Sequence, residues 1–116
     1  METTGKPWGK EELLEKNEFY ALKKLFMKAN HRCSLQLHNQ KTETIVVVKG
    51  TIKITLMEPL QEHLLFVGDF FTIQPKRIHR MSAMDVDAVY LETSTPELDD
   101  LVRIEDDYQR VDSDEV

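Results

Sequence analysis

Short β-type runs follow one another through the middle of this chain, and no amphipathic helix separates them. The run "TIKITLME" shows the pattern most clearly, because Ile52, Ile54 and Leu56 alternate with polar residues and would share one face of a strand. The other runs are "FYALKKLFMKAN", "TETIVVVKG", "HLLFVGDFFTIQP", "RIHRMSA" and "DAVYLETS". Seven or eight short strands at this spacing predict an all-β sandwich or barrel rather than alternating strands and helices.

The turns of such a fold have few glycines to draw on, since the chain contains only four. Gly50 and Gly68 both lie where one run ends and the next begins, and we expect positive φ at both. Asn30 precedes "HRCSLQL" and can serve the same purpose, because asparagine tolerates the left-handed region. The segment after Pro96 is the one candidate helix, with Thr95 as its N-cap and acidic residues in its first turn.

Length and charge limit the organisation and the partners of the chain. Its 116 residues fit one domain, which we place at residues 1–110, and residues 111–116 are interpreted as an acidic, disordered tail. The formal net charge of −6 argues against nucleic acid and anionic membranes as partners. The single cysteine, Cys33, cannot form an intramolecular disulfide, and no run has the length of a membrane span or the form of a signal peptide. These features favour the cytoplasm.

Polar residues near the middle of the chain predict a metal site. Gln36 and His38 are two apart and would point to the same face of a strand. If "NQKT" is a four-residue hairpin loop, Glu43 opens the returning strand and arrives beside His38. Glu43 shares its face with Ile45 and Val47, so its carboxylate would point into an apolar interior. That position is costly unless a cation or a hydrogen-bond donor compensates the charge, and a metal ion is one such cation.

A fourth ligand would have to come from elsewhere in the chain. His79 is the best candidate, because it follows a glycine turn, a short apolar strand and a proline corner. His31 and His63 lie near expected loop ends without a paired partner, and we interpret both as ordinary histidines.

These two stretches resemble the paired motifs of the cupin superfamily. The first motif has the spacing Gly, five residues, His-x-His, three or four residues, Glu, six residues, Gly, and "NHRCSLQLHNQKTETIVVVKG" fits it from Asn30 to Gly50. The second ends in a histidine after Pro-x-Gly, and "GDFFTIQPKRIH" fits it from Gly68 to His79. Asn30 stands where the family has a glycine, and Gln74-Pro75-Lys76 stands in place of Pro-x-Gly.

Glutamine in place of the first motif histidine narrows the resemblance to the cupin domain of type II mannose-6-phosphate isomerases. In those enzymes this domain often follows a mannose-1-phosphate guanylyltransferase domain. The chain is also similar to that domain in "PWG", "CSLQLH", "ETIVVVKG", "IHR" and "DDLVRIEDDYQR". The similarity extends from Lys6 to Arg110. It implies a ligand set of Gln36, His38, Glu43 and His79.

The resemblance implies a single-domain cupin, which is a double-stranded β-helix or jelly-roll barrel, with a short C-terminal helical or irregular segment. It also implies a metal-dependent isomerase that interconverts mannose 6-phosphate and fructose 6-phosphate, so that a sugar phosphate is the expected small-molecule partner. One amide oxygen, two imidazoles and one carboxylate suit a divalent ion. Zinc is the favoured ion, with manganese, iron, cobalt and nickel as alternatives. No further cofactor is expected.

Two residues outside the ligand set are candidates for catalytic roles. Glu92 lies on a late strand in "VYLETS" and is a candidate general base. Arg103 matches an arginine of the closing motif in the family and is our first choice for contacting a phosphate. The other cations that could do so are Lys6, Lys23, Arg77 and Arg80. Trp8 would either cover the sugar site or fix the N-terminal strand to the barrel, and the second role is favoured.

Other functions and an oligomer are also compatible with the sequence. The same fold could hold a metal and a sugar without catalysis, or carry out another metal-dependent reaction such as dioxygenation. Leu35, Leu37, Val46 and Val48 would lie opposite the inward-facing residues and form apolar outer faces. Such faces predict a second layer or a subunit interface, and we expect a homodimer.

Overall fold

A computed structural model describes residues 1–108, and within that range the chain forms eleven β-strands and no helix. The strands are β1 (Glu2–Lys6), β2 (Gly9–Lys16), β3 (Ala21–Met27), β4 (Leu35–Leu37), β5 (Glu43–Lys49), β6 (Ile52–Leu56), β7 (Gln61–Leu65), β8 (Phe70–Ile73), β9 (His79–Ala83), β10 (Ala88–Ser94) and β11 (Val102–Glu105). There are more strands than expected, because the β1–β2 hairpin and β11 are rich in charged residues and lack a clear apolar pattern. The proposed tail, residues 111–116, lies outside the described residues, as do residues 109 and 110.

The strands form two antiparallel sheets that enclose a common core. The six-stranded sheet has the order β1-β2-β3-β10-β5-β8, and the five-stranded sheet has the order β11-β4-β9-β6-β7. From β3 onward the chain changes sheet at nearly every connection, and only β6 and β7 follow each other within one sheet. This alternation produces the predicted jelly-roll barrel, a double-stranded β-helix.

The core follows the alternation seen in the sequence. Ile52, Ile54 and Leu56 are buried, whereas the polar residues between them are partly exposed. Trp8 is only 4% exposed and packs within the same cluster as Tyr90. This burial agrees with the predicted role of fixing the N-terminal strands to the barrel, and Trp8 also lines the interior cavity, so its role at a sugar site stays a prediction.

The predicted helix after Pro96 is wrong, whereas the alternative of an irregular segment describes residues 95–101 well. The Leu98 N–H donates to the Pro96 carbonyl, and the Leu101 N–H donates to the Asp99 carbonyl. Residues 102–105 then form β11, which pairs with β4 at the edge of the five-stranded sheet. Pairing with an open sheet edge outweighs the local helix signals.

The predicted hairpin between His38 and Glu43 is also wrong. Strands β4 and β5 belong to different sheets, so residues 38–42 cross from one sheet to the other. The sequence pattern of a short polar loop does not distinguish a hairpin from such a crossing.

The predicted turn conformations are confirmed. The φ angles are 60° at Asn30, 75° at Gly50 and 92° at Gly68. Lys76, which occupies the position of a motif glycine, also has a positive φ of 65°.

The apolar residues expected on outer faces divide between the two sheets. Leu35 and Leu37 lie on β4 and are half-buried, whereas Val46 and Val48 lie on β5 in the other sheet. Val48 is the most exposed of them, at 45%. These four residues do not form one surface, and the homodimer stays a prediction. In the described part of the chain, no helix could span a membrane.

Substitution of three glycines by alanine should give a graded loss of stability. A Cβ at Gly50 would lie 2.6 Å from the Asp87 carbonyl oxygen, in addition to the strain of positive φ. We expect Gly50→Ala to lower the free energy of unfolding by about 2–4 kcal/mol. Gly68→Ala has the strain without the clash and should lower it by about 1 kcal/mol.

Gly5→Ala is the control, because nothing lies within 4 Å of its Cβ position. Denaturant unfolding of the three variants measures the order. Equal stability of Gly50→Ala and Gly5→Ala would contradict the backbone conformation described for the turn.

Candidate metal centre and its cavity

Three side chains with metal-binding atoms meet inside the barrel. His38 follows β4, Glu43 opens β5 and His79 opens β9, and their ligand atoms all lie within 4.8 Å of one another. His38 Nε2 is 2.7 Å from Glu43 Oε1, and His79 Nε2 is 4.0 Å from the same oxygen. All three residues are buried. The site therefore draws ligands from both sheets, and three of the four predicted ligands come together.

Backbone carbonyls orient both imidazoles. His38 Nδ1 lies 2.5 Å from the Asp100 carbonyl oxygen, and His79 Nδ1 lies 2.8 Å from the Arg77 carbonyl oxygen. A carbonyl can only accept a hydrogen bond, so each Nδ1 carries the proton and each Nε2 keeps a lone pair. Burial lowers the pKa of His79, which favours its neutral form. Outer hydrogen bonds of this kind are typical of histidines that bind metals.

The atoms that point to the centre of this cluster fit a cation. His38 Nε2, His79 Nε2 and both Glu43 carboxylate oxygens are buried and have no hydrogen-bond partner among the described residues. His38 Nε2 and Glu43 Oε1 are close, but they lack the alignment of a hydrogen bond. Burial favours a higher pKa for Glu43, but a hydrogen bond from His38 with a protonated Nε2 and the charge of the Lys41 ammonium outweigh it and hold the pKa well below its usual value. When His38 is neutral with its proton on Nδ1, the Lys41 ammonium and a bound cation would keep Glu43 ionised. An ionised carboxylate that faces two nitrogen lone pairs is a suitable ligand set for a divalent metal ion.

Gln36 lies beside the three residues but is engaged elsewhere. It is directly opposite His79 in the register of β4 and β9. Its amide oxygen accepts a hydrogen bond from the Ser34 hydroxyl at 2.9 Å. The side chain also lines the cavity next to the cluster. Its role as the fourth ligand therefore stays a prediction that the position of the residue permits.

The cavity beside the cluster has a volume of about 60 Å³. Its charged lining residues are Lys6, Glu11, Lys23, Lys41, Glu43 and Glu92. Trp8 and Tyr90 form part of its wall, and Leu98 and Leu101 contribute from the segment 95–101. An interior with this many charges is unusual for a small barrel, because buried charges need compensation.

Glu92 lies in this cavity, as a candidate base should. It is 6% exposed on β10, and Lys41 Nζ is 3.8 Å from its Oε2 and 3.8 Å from Glu43 Oε1. Burial and the neighbouring Glu43 carboxylate raise the pKa of Glu92 to about 8. The sequence did not indicate that Lys41 is buried, because a lysine in a polar loop such as "NQKT" is usually solvated. Its side chain is in fact only 5% exposed.

Arg103 does not line the cavity. It lies on β11 opposite Gln36, and it is half-buried. Arg80 donates from Nε to the Cys33 carbonyl at 2.9 Å, and Arg77 donates to Gln61 at 3.5 Å. Of the cations predicted to contact a phosphate, only the two lysines Lys6 and Lys23 are lining residues.

Asp100 supports the crossing between the sheets and was not predicted. Its carboxylate accepts hydrogen bonds from the N–H groups of Asn39, Gln40 and Lys41 at 2.8, 2.6 and 2.9 Å. Burial favours a higher pKa for Asp100, but these three donors hold the pKa below its usual value. Because its carbonyl also accepts from His38, this one residue positions a predicted metal ligand and the loop that follows it. Nothing in the local sequence distinguishes Asp100 from Asp99.

Replacement of Asp100 should therefore destabilise the loop and weaken metal binding. We expect Asp100→Ala to lower the free energy of unfolding by about 1–3 kcal/mol, because three backbone donors lose a charged acceptor. Metal affinity should fall as well, since His38 is held less firmly. Asp99→Ala changes an exposed neighbour and is the control. Denaturant unfolding and metal titration of both variants measure the effects, and wild-type behaviour of Asp100→Ala would contradict this role.

Comparison with known proteins agrees with the fold. Residues 2–106 match the family described as mannose-6-phosphate isomerase C-terminal. Mannose-1-phosphate guanylyltransferase ManC of Salmonella typhimurium is 31% identical over 110 residues, which cover 91% of this chain and 22% of that protein. The chain thus spans about a fifth of the length of this curated relative.

Two solved structures share the fold at low sequence identity. KdgF from Halomonas sp. superposes with a TM-score of 0.75 at 14% identity, over 83% of this chain and 88% of that chain. An uncharacterised protein from Klebsiella pneumoniae with a double-stranded β-helix domain superposes with a TM-score of 0.72 at 11% identity, over 82% and 83% of the two chains. At these identities the likeness shows the fold alone.

Proposed function

This chain belongs to the mannose-6-phosphate isomerase C-terminal family, and from that premise we propose that it is a metal-dependent isomerase of mannose 6-phosphate and fructose 6-phosphate. The observation that supports this function best is a second buried carboxylate, Glu92, in the cavity beside the His38–Glu43–His79 cluster. An aldose–ketose isomerase needs an electrophile for the substrate oxygens and a base for a carbon-bound proton. The cavity offers a place for each.

The three clustered side chains would hold a divalent ion, with Gln36 as a further ligand. Zinc is our first choice, because two imidazoles and one carboxylate form a common set for catalytic zinc. Bound there, the ion would supply Lewis-acid polarisation of the substrate oxygens. The Nδ1 hydrogen bonds of His38 and His79 keep their Nε2 lone pairs directed at that place.

Glu92 is the proposed base. In the aldose-to-ketose direction its carboxylate accepts the proton from C2 and returns a proton to C1, while the O2 hydroxyl proton moves to O1. The sum of these steps leaves the composition and the oxidation level of the sugar phosphate as a whole unchanged. Burial beside Glu43 raises the pKa of Glu92, so that its acid form can return the proton near neutral pH. Lys41 lies between the two carboxylates and compensates the charge on both.

Substrate entry requires the cavity to widen. Its volume of about 60 Å³ is below the few hundred Å³ of usual small-molecule sites. Leu98 and Leu101 belong to the irregular segment 95–101, which is not part of a sheet but is joined to residues 38–41 through Asp100. We infer that the side chains of Leu98 and Leu101 move aside when a sugar phosphate binds, while Asp100 keeps its hydrogen bonds.

The narrow cavity also supports a second candidate function. A barrel that holds a metal and a small polar group without turnover would need less space than an isomerase. In that case the chain would be a metal- and sugar-binding module, and Glu92 would serve only to balance the charge of the lysines.

Replacement of the proposed base separates the two functions. We expect Glu92→Gln to lower kcat for isomerisation by about a hundredfold or more, because the amide cannot accept the C2 proton. Metal content should stay at the wild-type level, since Glu92 lies outside the ligand cluster. A coupled assay of fructose 6-phosphate formation and metal analysis measure the two properties.

Glu62→Gln is the control, because Glu62 lies exposed on β7. A Glu92→Gln variant as active as the wild type would exclude Glu92 as the base. A wild-type protein that binds metal and shows no turnover would favour the binding module.

A further inference from the structure

Three neighbouring strands of the six-stranded sheet, β3, β10 and β5, carry apolar residues on the side that points away from the barrel interior. Burial alternates along each strand, and Leu22, Leu91 and Val46 lie on the outer, half-buried side. A sheet with one solvated face normally has polar residues on that face. Here charged residues such as Glu43 and Glu92 are buried on the inner side instead. An apolar outer side of this kind is typical of a contact with another protein.

The apolar residues on the outer side are neighbours across four strands. Phe26 on β3 is paired with Val89 on β10. Leu91 on β10 is paired with Val46 on β5, and Val46 is paired with Phe70 on β8. Paired residues lie on the same side of a sheet, so these side chains form one continuous surface. This apolar sheet face consists of Leu22, Phe26, Val46, Val48, Phe70, Val89 and Leu91.

The apolar sheet face has both a projecting side chain and a groove. Phe70, at the β8 edge, is 70% exposed, so its ring projects from the surface. The groove has a volume of about 430 Å³, and its lining includes Phe26, Val48 and Val89. Two strand spacings, about 10 Å, separate β8 from β10, which carries Val89. Because the ring and the groove lie side by side on one face, two copies of the face can fill each other.

The charges beside the ring and beside the groove are opposite. Asp69 precedes Phe70 in the sequence and is exposed. Three lysines line the groove, namely Lys24, Lys28 and Lys49. Asp87 also lines the groove and compensates only part of their charge. The chain as a whole has a net charge of −6, so this basic groove is a local exception. An acid beside the ring and cations around the groove favour the same contact.

The exposed apolar area is close to what a stable dimer needs. The turn before Phe70 adds Phe66 and Val67, which are 56% and 63% exposed. At about 150–200 Å² for a fully exposed side chain of this size, the apolar surface is on the order of 500 Å² per copy. A standard interface buries about 800 Å² per partner, and a little over half of that area is apolar. The apolar sheet face and this turn therefore suffice for one side of a standard interface.

We propose that two copies of this chain form a homodimer through the apolar sheet face, with the Phe70 ring of each copy in the groove of the other. The contact is isologous, since the same surface serves both copies. Asp69 of each copy then lies near the lysines of the opposite groove. Of the four residues from which the dimer was predicted, this surface includes Val46 and Val48. The contact does not depend on the proposed isomerase reaction.

Sedimentation velocity of the full chain at about 1–100 µM tests the proposed dimer. We expect the wild type to sediment with twice the chain mass of 13.6 kDa. Phe70→Lys would place a like charge among the lysines of the groove, and Val48→Asp would bring an acid against Asp69. Each variant alone should be monomeric over this range, because dimer affinity falls by about a hundredfold or more.

A mixture of the two variants tests the pairing of ring and groove. In a mixed dimer, one contact keeps the native ring and the native groove. In the other contact, the introduced lysine meets the introduced carboxylate. We therefore expect the mixture of Phe70→Lys and Val48→Asp to regain the dimer, although neither variant dimerises alone.

Phe19→Lys is the matched control, because Phe19 is 75% exposed between β2 and β3 and lies outside the apolar sheet face. It should sediment as the wild type does. Thermal unfolding checks that each variant folds, and Phe70→Lys decides if Val48→Asp does not fold. A dimer that persists in Phe70→Lys, or a mixture of folded variants that stays monomeric, would overturn the proposal. A monomeric wild type would also overturn it and would leave the face to a different protein.

Discussion

This site depends on one arrangement, in which a buried carboxylate faces the lone pairs of two imidazoles. Glu43 comes from the six-stranded sheet, whereas His38 and His79 belong to the five-stranded sheet and its connections. A cation between them would join the two sheets at one end of the barrel. Without such a cation, the two Nε2 atoms and the carboxylate oxygens stay buried without a hydrogen-bond partner, which costs folding free energy. Metal binding and the stability of the barrel are therefore expected to be coupled.

The closing segment of the chain supports this centre from outside. Asp100 holds the loop after His38, and Asp107 accepts two hydrogen bonds from Arg32, at 2.6 and 3.0 Å. The same Asp107 lies 3.8 Å from the buried Arg80, next to His79 in the sequence. Two acidic residues of the closing segment thus contact the parts of the chain that carry the first and second motifs. Asp100 orients His38 and the loop after it, and Asp107 pairs with Arg32 and Arg80.

Much of this architecture could be predicted from local patterns. The strand alternation at Ile52, Ile54 and Leu56 and the positive φ at Asn30, Gly50 and Gly68 follow from short-range physics. The convergence of His38, Glu43 and His79 followed from motif spacing, although the hairpin reasoning for Glu43 was wrong. Features that depend on tertiary contacts could not be predicted. Lys41 is buried only because the loop crosses between sheets, and Asp100 differs from Asp99 only in what it meets 60 residues away.

The most direct test is thermal unfolding of metal-depleted protein during titration with zinc. We expect one equivalent of zinc to raise the Tm by about 5 °C or more, because the ion binds the folded state and joins the two sheets. His79→Ala should lose this rise, whereas His63→Ala, which changes an exposed histidine on β7, should keep it. A Tm that does not respond to zinc in the wild type, or that responds equally in His79→Ala, would contradict a metal centre at His38, Glu43 and His79.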